Sequence, residues 1–342
     1  MIGLALEGGG VRGSYQAGVY MAMYEAGIKP DAVCGSSIGA LNGVVIASGK
    51  GEILPSLWRS LSMGHVFGFS DAFIEAVIRK KLGLKLFKTS FVSFLKILSN
   101  KGISLEGLKE VIDKYLDVDE LFSSDIDFGL CTVRLHDLKP LYIWKKDMNP
   151  DKIKDYVLAS SFLPIFKMEK LIDDHYYLDG GFYDIGPVNM LLNRGCDKIF
   201  LVKVHGIGFT RKYDKNANVI VIEPKRSLGG VMDLDSKRIE ENIHMGYFDT
   251  IRVLYNYDGE KYVFKRKSDK YYKFLNRKVP KKLLIRAKNF LGTNDYKDTT
   301  IRAIEYMMEA LNINYYDIYS LRKILKKLQK EYKRNFFLKQ YV

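Results

Sequence analysis

The sequence has no apolar run long enough to cross a bilayer, which argues against a membrane-spanning helix. Its N-terminus has no basic stretch ahead of an apolar core and no cleavage site, so export by a signal peptide is not expected. Cysteine is scarce: Cys34, Cys131 and Cys196 are odd in number and far apart, unlike a disulfide frame. They read instead as buried, reduced thiols of a cytoplasmic protein. No Cys/His cluster suits zinc, and no loop has the spacing of a calcium-binding EF-hand. Internal repeats and low-complexity linkers are also missing.

Glycine, by contrast, is concentrated in two places that carry chemistry. Ile2–Leu6 reads as a short buried strand, followed by Glu7-Gly8-Gly9-Gly10-Val11-Arg12-Gly13-Ser14 and an amphipathic helix from Tyr15 to Ala26. A glycine-rich turn at a helix N-terminus presents backbone N–H groups to an anion. The Gly-Lys-Ser/Thr ending of a nucleotide P-loop is missing. Gly8-x-Gly10-x-x-Gly13 does satisfy dinucleotide-fold spacing, but that fold wants an acid at the end of the second strand. Asp31 stands at the beginning of that strand, and Gly35-Ser36-Ser37-Ile38-Gly39 occupies its end. A serine between two glycines, after a strand and before a helix, has the context of a nucleophile elbow. The oxyanion of a tetrahedral intermediate is the one anion that uses both glycine motifs.

A nucleophilic serine needs a base. The five histidines, His65, His136, His175, His205 and His244, include none in a loop that plainly returns to Ser37; His205, at the end of strand-like Lys198–Val204, comes nearest. Asp179-Gly180-Gly181, after the strand-like Tyr176–Leu178, is the other candidate, with an ordinary Asp-Gly hairpin turn as the plain alternative.

The three motifs in this order, Glu7–Gly13, Gly35–Gly39 and Asp179–Gly181, resemble those of the patatin-like phospholipases. Ala159-Ser160-Ser161-Phe162-Leu163-Pro164-Ile165-Phe166 and Pro187-Val188 are similar to further segments of that family. Two departures stand out: Ile185-Gly186 where the family often has asparagine, and Glu7 where aspartate is common. The resemblance covers about residues 1–255. It implies a three-layer α/β/α fold with a mainly parallel sheet and a Ser–Asp dyad. Ser37 is then the nucleophile and Asp179 the base. Gly8, Gly9, Gly10 and Val11 supply oxyanion-hole amides, with Arg12, Gly13, Gly35, Gly39, Gly180 and Gly181 in support. Arg12 either braces its loop, binds an anionic head group or is simply solvated. The implied activity is that of a phospholipase A or lysophospholipase cleaving carboxylic esters, without metal or cofactor. A dinucleotide-binding protein and a non-catalytic membrane-binding protein are the rival readings.

The net charge of +14 is clustered. Arg79, Lys80, Lys81, Lys85, Lys88, Lys96 and Lys101 alternate with leucine, isoleucine and phenylalanine and no acid. Such a stretch suits either contact with an anionic membrane, as a lid or docking element, or a helical cap with solvated lysines. A second basic region runs from Arg322 to Lys339, with Leu321, Ile324, Leu325 and Leu328 at helical spacing, predicting a helix packed on the main domain. Nucleic acid is not an expected partner, because no recognisable binding module accompanies these clusters. Strands are predicted near 2–6, 31–35, 126–134, 139–144, 198–204 and 218–222, with helices near 14–26, 38–48, 104–116, 187–194 and 236–256. Residues 1–257 form the expected catalytic domain. Residues 258–342 form a basic, mainly helical region, with helices over Lys281–Phe290, Asp298–Leu311 and Asp317–Tyr332.

Overall fold

The computed structural model describes residues 1–61, 104–164 and 166–334. The basic stretch from Arg79 to Lys101, with Arg79, Lys80, Lys81, Lys85 and Lys88, lies outside the described residues, as does His65. The chain forms two compact units, Met1–Tyr247 and Phe248–Val342.

The first unit alternates strand and helix: β1 (Ile2–Leu6), α1 (Ser14–Glu25), β2 (Ala32–Gly35), α2 (Ile38–Ala47), α3 (Leu54–Ser60), α4 (Glu106–Tyr115), α5 (Val118–Ser123) and β3 (Asp127–Arg134). There follow β4 (Lys139–Trp144), α6 (Ile153–Ser160), β5 (Tyr177–Asp179), α7 (Val188–Asn193), β6 (Lys198–Val202), β7 (Val219–Ile222) and α8 (Ser236–Leu254), and the break between units falls within α8. The short helices α3, α5 and α6 are absent from the sequence-based expectation. In the sheet, strands run in the order β4-β3-β2-β1-β6-β7. From β3 to β7 they are parallel, while β4 pairs antiparallel with β3 as the predicted hairpin.

Alternation along the central strands builds the three layers, because successive strand side chains point to opposite faces. Ala5, Ala32 and Cys34 pack with Val188, Met190 and Leu191 of α7 on one face. On the other, Leu6, Val33 and Phe128 close around Gly43 of α2. Strands that are buried on both faces read as unbroken apolar runs, which is why Ile2–Leu6 and Lys198–Val202 were legible.

β3 also makes the site. Its first half, Asp127–Leu130, pairs with β2, and its second half, Thr132–Arg134, pairs antiparallel with β5. Gly35 therefore stands opposite Leu130 and Asp179 opposite Thr132, so the ends of β2 and β5 meet along one strand.

The second unit holds α9 (Asp269–Arg277), α10 (Lys281–Leu291), α11 (Tyr296–Ala310) and α12 (Leu321–Arg334), with a parallel pair of two-residue strands, β8 (Val263–Phe264) and β9 (Ile318–Tyr319). Tyr262, Phe264, Tyr272, Ile304, Met308, Leu321, Ile324 and Leu328 form its core. The apolar stripe of α12 is thus satisfied inside this unit, where the spacing alone suggested packing on the main domain. Arg322, Lys323, Lys326 and Lys327 are exposed on its other side.

Candidate active site

Ser37 sits between β2 and α2 with φ 56° and ψ −129°, a left-handed conformation that costs a non-glycine residue roughly 1–3 kcal/mol. The flanking glycines permit the sharp turn. A Cβ on Gly35 would stand 2.3 Å from the Gly39 carbonyl carbon, and one on Gly39 would stand 2.2 Å from the Leu6 carbonyl oxygen. The strain is held from behind. The Ser37 amide donates to the Ser160 carbonyl at 3.0 Å and lies 3.1 Å from Ser160 Oγ, which itself donates to the Cys131 carbonyl at 2.7 Å. Ser36 Oγ donates to the Asp184 carbonyl at 2.6 Å.

Asp179 is buried at the end of β5. Its amide donates to the Phe162 carbonyl at 2.8 Å, and its Oδ1 accepts the Gly181 N–H at 2.7 Å. Oδ2 is buried with no hydrogen-bond partner. Burial raises the Asp179 pKa to about 6, against the stabilising pull of the Ser37 hydroxyl and the Gly181 amide on the carboxylate. Ser37 is thus the side chain that acts on this carboxylate, although no well-formed hydrogen bond reaches Oδ2. A loose pairing of this kind is usual in a substrate-free site and tightens when substrate seats.

The glycine loop crosses in front of the elbow. Gly8 donates its N–H to the Ile185 carbonyl and Val11 donates to the Val231 carbonyl, both at 2.9 Å. These two amides, expected as oxyanion donors, are therefore already engaged. Neither the Gly9 nor the Gly10 amide has a backbone acceptor among the described residues. Gly10 has φ 59°, and a Cβ there would stand 2.1 Å from the Val231 oxygen, so the close strap permits only glycine. Arg12 is a brace: its Nε donates to the Gly229 carbonyl at 2.9 Å and its Nη1 to the His205 carbonyl. Glu7 does the same from the other side, accepting the Val204 and His205 amides on Oε2 at 2.5 and 2.8 Å. Burial raises its pKa, with those amides pulling it back.

A cavity of about 120 Å³ opens beside these groups. Gly10, Val11 and Ser37 are among its lining residues. Leu41, Val44 and Val45 of α2, Trp58 of α3 and Leu108 and Ile112 of α4 make its wall, which is almost wholly apolar. A strained serine and a glycine loop lining an apolar pocket, with a buried carboxylate acting on that serine, form an arrangement with the parts that cleavage of an ester with a hydrocarbon acyl group requires.

Residues 4–192 match the family model described as patatin-like phospholipase. The chain belongs to the patatin-like phospholipase family. This patatin-like chain is 25% identical over 228 residues to the patatin-like phospholipase domain-containing protein ZK370.4 of Caenorhabditis elegans, covering 62% of this chain and 14% of that one. It is 28% identical over 210 residues to lysophospholipase nte1 of Aspergillus terreus, covering 60% of this chain and 12% of the relative. It therefore spans a small part of either relative's length. Among solved structures, VipD from Legionella pneumophila superposes over 92% of this chain and 80% of that one, at 13% identity and a TM-score of 0.42.

In this patatin-like site no histidine lines the cavity among the described residues. His136 and His175 stack on each other, and His205 Nε2 faces Glu223 at 3.8 Å. The three cysteines are free and buried; the thiols of Cys34 and Cys131 are pushed up by desolvation.

Several supporting groups escaped the sequence reading. Asp184, fully buried, accepts the Tyr142 hydroxyl at 2.6 Å and fixes the turn beneath Ser36. Asn42 donates to the Gln16 Oε1 at 2.8 Å and the Gly13 carbonyl at 3.0 Å, and accepts from Trp58 Nε1 at 3.1 Å. Gln16 in turn donates to the Glu7 carbonyl at 2.6 Å. A polar residue on an apolar helix face, as Asn42 is on α2, is the one signal that marks this network in the sequence.

Proposed function

We propose that the chain is a serine lipid acyl hydrolase that cleaves carboxylic esters of phospholipids, lysophospholipids or other acylglycerols. The observation that carries this reading is a strained Ser37 that lines an apolar cavity and acts on the buried Asp179 carboxylate.

Ser37 Oγ attacks the ester carbonyl and gives its proton to Asp179. The Gly9 and Gly10 amides receive the oxyanion, each such donor being worth about 3 kcal/mol to the transition state. Collapse breaks the bond to the alcohol, which takes the proton back from Asp179 and leaves an acyl-Ser37 ester. Asp179 then deprotonates a water that attacks this ester. Return of the proton to Ser37 releases the fatty acid. A carboxylate of ordinary pKa, about 3.9, is a poor base at neutral pH. Raised to about 6, Asp179 remains ionised at pH 7 while holding a proton more readily.

The apolar cavity supports one hydrocarbon chain as the acyl part. Free, buried cysteines suit action from a reducing compartment, and clustered basic charge suits a peripheral position at an anionic membrane. Among the described residues no helix is long and apolar enough to cross a membrane.

Fatty-acid release from mixed anionic liposomes containing lysophospholipid, wild type beside Ser37→Ala, tests the reading. Release that vanishes in the variant supports it, and equal release from both overturns it.

A further inference from the structure

The connection 203–218 between β6 and β7 is long by the standard of compact domains, where about 4–6 residues is the median. It leaves the carboxyl edge of the sheet, the edge that also launches the glycine loop and the elbow. Its backbone is pinned there. Glu7 holds Val204 and His205, Arg12 holds the His205 carbonyl, and Phe209 exchanges backbone hydrogen bonds with its neighbours. The Phe209 amide donates to the Gly181 carbonyl at 2.8 Å, and its carbonyl accepts the Ile185 amide at 2.7 Å. Gly206 packs so closely on the Gly8 carbonyl that a Cβ would stand 1.9 Å from the oxygen.

On this fixed backbone, Ile207 is 72% and Phe209 66% exposed, and Phe182, next to Gly181, is 41% exposed. Large apolar side chains on a loop braced on two sides are displayed to solvent at a cost, and such patches mark interaction surfaces. No acid occurs from His205 to Tyr213, while Arg211 and Lys212 are exposed beside the apolar pair. Arg211 is itself anchored, donating from Nε to the Tyr183 carbonyl at 3.1 Å.

We propose that loop 205–212, with Phe182, docks the catalytic unit on a phospholipid surface. Ile207 and Phe209 enter the acyl region, and Arg211 and Lys212 stay at the level of the phosphates. Apolar tips flanked by cations match a bilayer interface, which offers hydrocarbon a short distance below negative charge. The choice of lipid as occupant rests on the lipid-hydrolase reading. Phe182 lies three residues after Asp179 in the chain and Phe209 is hydrogen-bonded to Gly181, two residues after it, so the dock brings the substrate store to the edge of the sheet that carries the proposed dyad.

The test separates docking from chemistry. Ile207→Ser/Phe209→Ser is placed in the Ser37→Ala background and sedimented with phosphatidylcholine vesicles, with and without phosphatidylserine. Loss of two apolar anchors lowers the partition coefficient about 100-fold, roughly tenfold for each side chain. Lys212→Glu lowers it about tenfold on the anionic vesicles and leaves the neutral ones unaffected. In the active chain, the double variant loses vesicle hydrolysis by a similar factor yet cleaves monomeric p-nitrophenyl butyrate at the wild-type rate. Ile207→Trp, which keeps the loop apolar, shows a blue shift in emission on vesicles. Unchanged partitioning in the double variant, or no blue shift, overturns the proposal. So does equal loss on both substrates, which would make the loop a support of the dyad. A wild type that binds vesicles through these residues but hydrolyses neither substrate leaves the dock standing and overturns the hydrolase reading.

Discussion

Replacing Asp179 by asparagine is expected to abolish hydrolysis and to stabilise the fold, by an amount that grows with pH. Asp179 has a pKa near 6 in the folded chain because burial disfavours its charge, against 3.8 for the free group. The folded state therefore binds the proton more tightly than the unfolded state, and stability falls as pH rises between the two values. Above pH 7 the cost of ionising Asp179 in place amounts to about 3 kcal/mol. About half of it, ~1.5 kcal/mol, accrues between pH 5 and pH 8. Asparagine carries no charge, retains an oxygen for the Gly181 amide, and places an NH₂ near Oδ2 at a cost that does not vary with pH. The stability difference, variant minus wild type, should thus rise by about 1.5 kcal/mol from pH 5 to pH 8. Urea unfolding followed by tryptophan fluorescence measures it, since Trp58 and Trp144 both lie in the first unit. A difference that stays flat across this range, within roughly 0.3 kcal/mol, would refute the claim that Asp179 is held at a raised pKa.

With Asp179 as the proposed base, kcat/KM for a soluble ester should rise tenfold per pH unit below about pH 6 and level off above it, and a profile flat from pH 4.5 would exclude Asp179 as the base. Ser37→Gly removes both the proposed nucleophile and the left-handed strain, so thermal melts should show a gain of about 1 kcal/mol with activity lost. Gly39→Ala forces a methyl group against the Leu6 carbonyl and should destabilise the first unit by more than about 3 kcal/mol in urea titrations. Arg12→Ala frees the Gly229 and His205 carbonyls; kcat should fall about tenfold with KM little changed, and lysine should not restore it, because one ammonium cannot span both acceptors.

The sequence by itself determined the three glycine-rich turns and the strand–helix rhythm around them. Glu7–Gly13, Gly35–Gly39 and Asp179–Gly181 are local signals, since a tight turn needs glycine whatever lies elsewhere in the chain. Strands such as Ile2–Leu6 are legible because burial on both faces leaves a continuous apolar run. The short helices α3, α5 and α6 span two turns or so, too few for periodicity to show. Apolar spacing in Leu321–Leu328 revealed a helix but not its partner, because a hydrophobic stripe says that something covers it and not what. Only the tertiary structure decided which amides stay free. Val11 and Gly8 differ from Gly9 and Gly10 through carbonyls of Val231 and Ile185, contributed from far along the chain. It also decided that β3 joins the ends of β2 and β5, and that burial lifts Asp179 toward neutrality. Those outcomes depend on long-range packing and on the exclusion of water, and neither is written in the order of neighbouring residues.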